Sequence, residues 1–150
     1  MAEKVWQSLT DELFSLLQKE RFVTLATIDH ETGVPNVSAI SWVYAPSKSE
    51  VRIAVASRSR IVENIKANPS AVLNLIGAGS CYSIAGEAKV AVEKMDGVSI
   101  KLSRIDLAVK EVRDVMFYGA RISVDPEYEK TYDKEAADKL DRQVLEALKA

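Results

Sequence analysis

Between residues 22 and 92 the chain is written as a series of short β-type runs, interrupted once by a helix-forming stretch. Phe22 to Asp29 (F-V-T-L-A-T-I-D) is β-branched and apolar, the composition of a strand buried on most sides. Pro35 opens Asn36–Tyr44, where Val37, Ala39, Ser41 and Val43 alternate with Ser38, Ile40, Trp42 and Tyr44. A turn is predicted at Ala45–Ser49. Val51-Arg52-Ile53-Ala54-Val55 then reads as a half-buried strand. Ala71–Ile76 and Cys81–Val92 follow, the second with Gly86 at an expected bulge or close backbone approach.

The flanks are helical in pattern. Val5, Leu9, Leu13, Leu16 and Leu17 predict a packing helix over about Lys4 to Lys19. From Asp133 onward, Ala137, Leu140, Val144 and Leu148 share one face of an amphipathic helix. Ile100–Val112 fits a helix through Leu102, Ile105, Val109 and Val112, and a strand through Ile105, Leu107 and Val109. Periodicity leaves both open there. With no internal repeat or linker, residues 1–150 read as one domain. A helix, five or six strands with one inserted helix, and a closing helix predict a mainly β fold, a small antiparallel barrel whose closure removes exposed strand edges.

The inserted stretch carries the most chemistry. Ser57-Arg58-Ser59-Arg60-Ile61-Val62-Glu63-Asn64-Ile65-Lys66-Ala67-Asn68-Pro69 places two serines and two arginines where a strand ends and a helix begins. Free helix N–H groups, the positive end of the helix dipole and guanidinium forks all favour a phosphate there. A serine N-cap with two solvated arginines accounts for the same residues. The small side chains of Ser38, Ala39 and Ser41 would let a flat ligand approach the backbone, but taken alone they are accounted for by plain sheet packing.

Composition removes other classes. Twenty basic and twenty-two acidic residues give a net charge of −2 without a long single-sign block, so nothing marks a nucleic-acid or membrane surface. One cysteine and one histidine exclude an intrachain disulfide and a His-rich metal site. His30, in Asp29-His30-Glu31-Thr32-Gly33, is expected in an exposed turn. Cys81, with no cation beside it in sequence, is expected to be structural. The start Met1-Ala2-Glu3-Lys4 shows no signal-peptide pattern, no apolar run spans a bilayer, and the expected compartment is the cytoplasm. Nucleotide and hydrolase signatures are missing as well.

Several pieces in order resemble the pyridoxamine 5′-phosphate oxidase-like family, the FMN-binding split β-barrels. They are the leading helix, Arg21-Phe22-Val23-Thr24-Leu25-Ala26-Thr27, Gly33-Val34-Pro35-Asn36-Val37, the Ser59-Arg60-x-x-x-Asn64-Ile65 helix start, Asn68-Pro69-x-Ala71-Val72 and Gly86-Glu87-Ala88. The resemblance implies an antiparallel Greek-key split barrel, which makes Ile100–Val112 a strand. It implies an FMN phosphate at Ser57, Ser59 and Arg60, with Arg58 a second clamp. The flavin ring would lie along Ser38, Ala39, Ile40 and Ser41, faced by Ala54 to Ala56. It also implies a homodimer covering Trp42, and redox chemistry with a small-molecule substrate or an electron donor such as NADH or NADPH. No residue is assigned a catalytic role, and no metal is expected.

Two departures qualify the resemblance. Ile61 stands where many members carry a lysine, and the chain ends in a helical Arg142–Leu148 segment in place of an arginine-bearing substrate segment with a nearby histidine. Vitamin B6 oxidation itself is therefore not expected. A non-enzymatic flavin or haem carrier, and a dimer module with a decayed site, are the alternatives.

Overall fold

The computed structural model describes residues 4–150, so the Met1–Glu3 start lies outside the described residues. In chain order the elements are β1 (Val5–Trp6), α1 (Asp11–Leu16), β2 (Val23–Ile28), β3 (Pro35–Ile40), β4 (Val43–Ser47), β5 (Glu50–Ala56), α2 (Arg60–Ala67), β6 (Ser70–Gly77), β7 (Ser80–Val92), β8 (Leu102–Asp114) and α3 (Lys134–Lys149). The strands form one antiparallel sheet in the order β3-β2-β6-β7-β8-β5-β4, with β1 added beside β8. The sheet does not close. Its two edges, β3 and β4, are consecutive in the chain and joined only through Ser41 and Trp42. The architecture is the expected mainly β split barrel with flanking helices.

Val23, Leu25, Ile53, Leu73, Leu75, Ile84, Ile105 and Leu107 fill the main core, with Leu13 and Leu17 packed against it from the first helical segment. A second cluster gathers Ala54, Met95, Leu102, Val144 and Leu148, with Trp42 and Tyr44 partly buried beside it. Thus α3 covers Trp42 from within the chain, a role the sequence reading assigned to a second subunit. The Arg52 guanidinium donates to the carbonyls of Leu148 and Ala150 at 2.7 and 3.0 Å, placing a cation at the negative end of the helix dipole.

Three expectations are corrected. The first helix covers only Asp11–Leu16, starting where the Thr10 hydroxyl accepts the Leu13 N–H at 3.2 Å. Val5 and Trp6 instead pair with Arg113 and Val112 of β8, since tertiary pairing overrides local propensity for a β-branched and an aromatic residue. The Asn36–Tyr44 run divides into β3 and β4, so Val37 is exposed whereas Val43, an even number of residues away, is fully buried. The turn after it shrinks, because Ala45, Pro46 and Ser47 belong to β4. The ambiguous Ile100–Val112 region is a strand, hydrogen-bonded to β7 on one side and to β5 and β1 on the other. Among the described residues no helix is long and apolar enough to cross a membrane.

Gly86 sits at a register shift between β7 and β8. A Cβ there would lie 1.9 Å from the Ala108 carbonyl oxygen, a backbone atom that cannot swing aside. Gly86→Ala is expected to cost about 1–3 kcal/mol through this overpacking, read as a lower urea midpoint with an unchanged slope. An unchanged midpoint would show that the two strands can part at this point without cost.

Candidate functional site

The seam between β3 and β4 holds a cavity of about 410 Å³, within the range of small-molecule sites. Its wall runs from Ser38 through Trp42, across Ala54, Val55 and Ala56 of β5, to Ser59 and Ile61 at the start of α2, and includes Lys130. Small side chains dominate because the chain must bend at Ser41–Trp42 and turn again after Ala56. The cavity therefore has two ends. At one, the Ala54 N–H donates to the Trp42 carbonyl at 3.0 Å; at the other, the Ser59 N–H donates to the Ala56 carbonyl at 2.9 Å.

Eight of the residues expected around a cofactor line this cavity together: Ser38, Ala39, Ile40, Ser41, Ala54, Val55, Ala56 and Ser59. Ser57, Arg58 and Arg60 are next to it in sequence but outside the lining. The Ser57 hydroxyl donates to the Glu93 carbonyl at 3.1 Å and meets the Ser103 hydroxyl at 3.0 Å, so its one hydrogen is spent. Ser59 is the N-cap of α2: its hydroxyl oxygen accepts the Ile61 N–H at 3.1 Å, and its carbonyl accepts the Val62 N–H at 3.1 Å. Those two helix N–H groups are taken, contrary to the expectation of a free helix start, while the Ser59 O–H hydrogen remains available. Ile61 is 7% exposed and part of the main core, so this position serves packing here.

The arginines differ. Arg60 Nη1 lies 2.5 Å from Oδ1 of Asp29, which is buried, while the Arg60 side chain is 57% exposed. One nitrogen of its fork is engaged and the others face outward. Arg58 is exposed and has no hydrogen bond or ion pair among the described residues. Asp29 closes its own turn, accepting the N–H groups of Glu31 and Thr32 at 3.1 and 2.9 Å. The Thr32 N–H bond above all, joined by Arg60 and opposed by burial, holds its carboxyl well below the ordinary carboxylate range. Asn64, buried one turn further along α2, donates to Thr27 and Asn36 at 3.0 and 2.9 Å and accepts from the His30 N–H at 2.9 Å. Asp29 and Asn64 together fix α2 against β2 and β3. His30 lies in the expected turn, its Nδ1 also 2.9 Å from Asn64, outside the cavity.

At the other end, the side chain that sequence reasoning missed is Lys130. Its ammonium donates to Glu20 at 2.7 Å and Asp141 at 3.0 Å, and stands 5.7 Å from the centre of the Trp42 ring. Ser41 donates to the same Glu20 at 2.5 Å, and the Trp42 indole N–H donates to Asp141 at 2.9 Å. Burial works against the Lys130 charge, but the two carboxylates outweigh it and hold its pKa at about 12. No local motif marks this residue, since Glu20 lies 110 positions away. Cys81 accepts the Asn74 amide at 3.1 Å within the β6–β7 pair. Among the described residues no group of three His, Cys, Asp or Glu could hold a metal ion.

Because the Asp29 pKa is depressed on folding, its stabilisation is present above the unfolded value of about 4 and is lost as pH falls through the folded one. Asp29→Asn is therefore expected to be less stable than the parent at pH 7, with the gap in urea midpoint narrowing below about pH 4. A gap that stays constant down to pH 3 would remove the carboxylate from the account of α2.

The family model described as pyridoxamine 5′-phosphate oxidase matches residues 9–127. No curated protein matches. A Lactobacillus delbrueckii structure named for pyridoxamine 5′-phosphate oxidase superposes with a TM-score of 0.62 at 21% identity, over 75% of this chain and 98% of that one. A heme binding protein from Mycobacterium smegmatis gives 0.53 at 19% identity, over 72% of this chain and 53% of its own. An F420 reductase gives 0.51 at 20% identity, over 65% and 90%. At these identities the likeness is one of fold, whereas the family model spans most of the sequence. The chain belongs to the pyridoxamine 5′-phosphate oxidase family.

Proposed function

We propose that this protein binds FMN in the β3–β4 seam and acts as a flavin-dependent oxidoreductase on a small substrate. The observation that carries the reading is the cavity itself: a small-residue wall on β3 and β5 reaches the Ser59 hydroxyl at the start of α2, and Arg58 and Arg60 are its neighbours in sequence. Ser38 to Ser41 and Ala54 to Ala56 would flank the ring. At the other end Ser59 retains a hydroxyl hydrogen, Arg58 is unpaired among the described residues, and Arg60 keeps the outward part of its fork. Ser57 drops from the phosphate set because Glu93 takes its hydrogen. Asp29 orients Arg60 and offsets part of its charge, which leaves Arg58 a share in neutralising a phosphate.

Bound flavin supplies the electron-transfer chemistry. The chain's part is to hold the phosphate with charge-assisted hydrogen bonds, to keep the ring flat between small side chains, and to limit water through Trp42 and Lys130. The haem alternative lacks support from the one histidine, which is tied to Asn64 away from the cavity. Val34 and Val37, exposed on and beside edge strand β3, are the surface we assign to a second copy in a homodimer, with light scattering as its check. The single free thiol suits a reducing cytoplasm.

Arg58→Ala and Arg60→Ala should each weaken FMN binding roughly ten- to a hundredfold, the effect of losing one charge-assisted contact. Riboflavin, which lacks the phosphate, should bind almost unchanged. Equal weakening of both ligands, or wild-type FMN affinity in both variants, would contradict the phosphate assignment. Bleaching of the bound flavin by NADH or NADPH would mark the protein as an enzyme in preference to a carrier.

A further inference from the structure

The Lys130 ammonium carries three N–H donors. Two are spent on Glu20 and Asp141, and among the described residues the third has no hydrogen-bond acceptor. The side chain is about three-quarters buried, yet it lines the cavity. Its position is set from three directions: Glu20 follows α1 and holds Ser41, Asp141 comes from α3 and holds Trp42, and the Trp42 ring lies beneath the ammonium. A donor clamped in this way costs little further side-chain entropy when it meets a ligand. It also stands beside Trp42, at the end of the cavity away from Ser59.

We propose that Lys130 is a ligand-binding residue of the seam, its third N–H meeting the acceptor atoms of a flat heteroaromatic ring whose phosphate lies at α2. The proposal rests on the flavin reading and goes beyond it by assigning the ring end to a residue outside the strands. Lys130 offsets the charge of Glu20 and Asp141 at that edge, and a cation there favours the reduced, more negative ring of a flavin, so its removal lowers the reduction potential. A lysine that only ties the segment before α3 to the barrel would change stability without changing either ring affinity or potential.

The test measures riboflavin and FMN affinities by fluorescence quenching, and the midpoint potential of the bound flavin, in wild type, Lys130→Met and Lys130→Arg. Lys130→Met is expected to weaken both ligands alike, by about tenfold for one lost charge-assisted contact, and to lower the potential. Lys130→Arg keeps the carboxylate pairing and should lose less in both, though a planar fork does not reproduce the ammonium's third donor. Wild-type riboflavin affinity and potential in Lys130→Met would overturn the proposal. Should that variant fail to fold, wild-type values in Lys130→Arg would overturn it equally. Failure of the wild-type protein to take up any flavin would instead overturn the flavin reading, and this proposal with it.

Discussion

The site depends on two adjacent strands that cannot pair. β3 and β4 follow one another through Ser41 and Trp42, yet they lie at opposite edges of the sheet. A two-residue connection normally makes a hairpin. Here the backbone crosses from one edge to the other, leaving a gap that side chains must hold open. Ser41 and Trp42 are tied to Glu20 and Asp141, and Lys130 bridges the two carboxylates. Two negative charges and one ammonium, all partly buried, make the crossing costly to rearrange, because losing the ammonium leaves two carboxylates without a cation and losing either carboxylate leaves Ser41 or Trp42 without its acceptor. The cavity is what remains between the edges.

The opposite end is held by different chemistry. There α2 is fastened by Asp29 through Arg60 and by Asn64 through Thr27, Asn36 and His30. These polar groups are satisfied among themselves, which offsets the cost of burying Asn64 and Asp29. With the helix anchored this way, Arg58 and Arg60 stay exposed on either side of Ser59, the α2 residue that lines the seam. The charge of the two regions thus differs, with exposed guanidinium groups flanking Ser59 in sequence and a net negative cluster around Lys130.

Much of this was legible in the residues. The strands at Phe22–Asp29, Val51–Val55, Ala71–Ile76 and Cys81–Val92, the single inserted helix and the irregularity at Gly86 match the residues' own pattern, because each rests on local periodicity or on a glycine's missing Cβ. The break at Ser41–Trp42 was hidden, since alternation shows which face a residue takes and not where a chain changes edge. The first helix was overextended because its apolar spacing continues through Val5 and Trp6, which β8 captures. The Arg60–Asp29 pair was hidden because the two lie 31 positions apart, and Lys130 carries no local mark. Charges that meet across such distances become visible only once the sheet has brought them together.

Titration of FMN into the purified protein, followed by flavin absorbance, tests the central claim most directly. A flavin bound in the seam loses water from its ring and should show a saturable change in its visible bands, ending at one flavin per chain. Titration with no saturable change, in protein shown to be folded, would contradict the assignment of the seam as a flavin site.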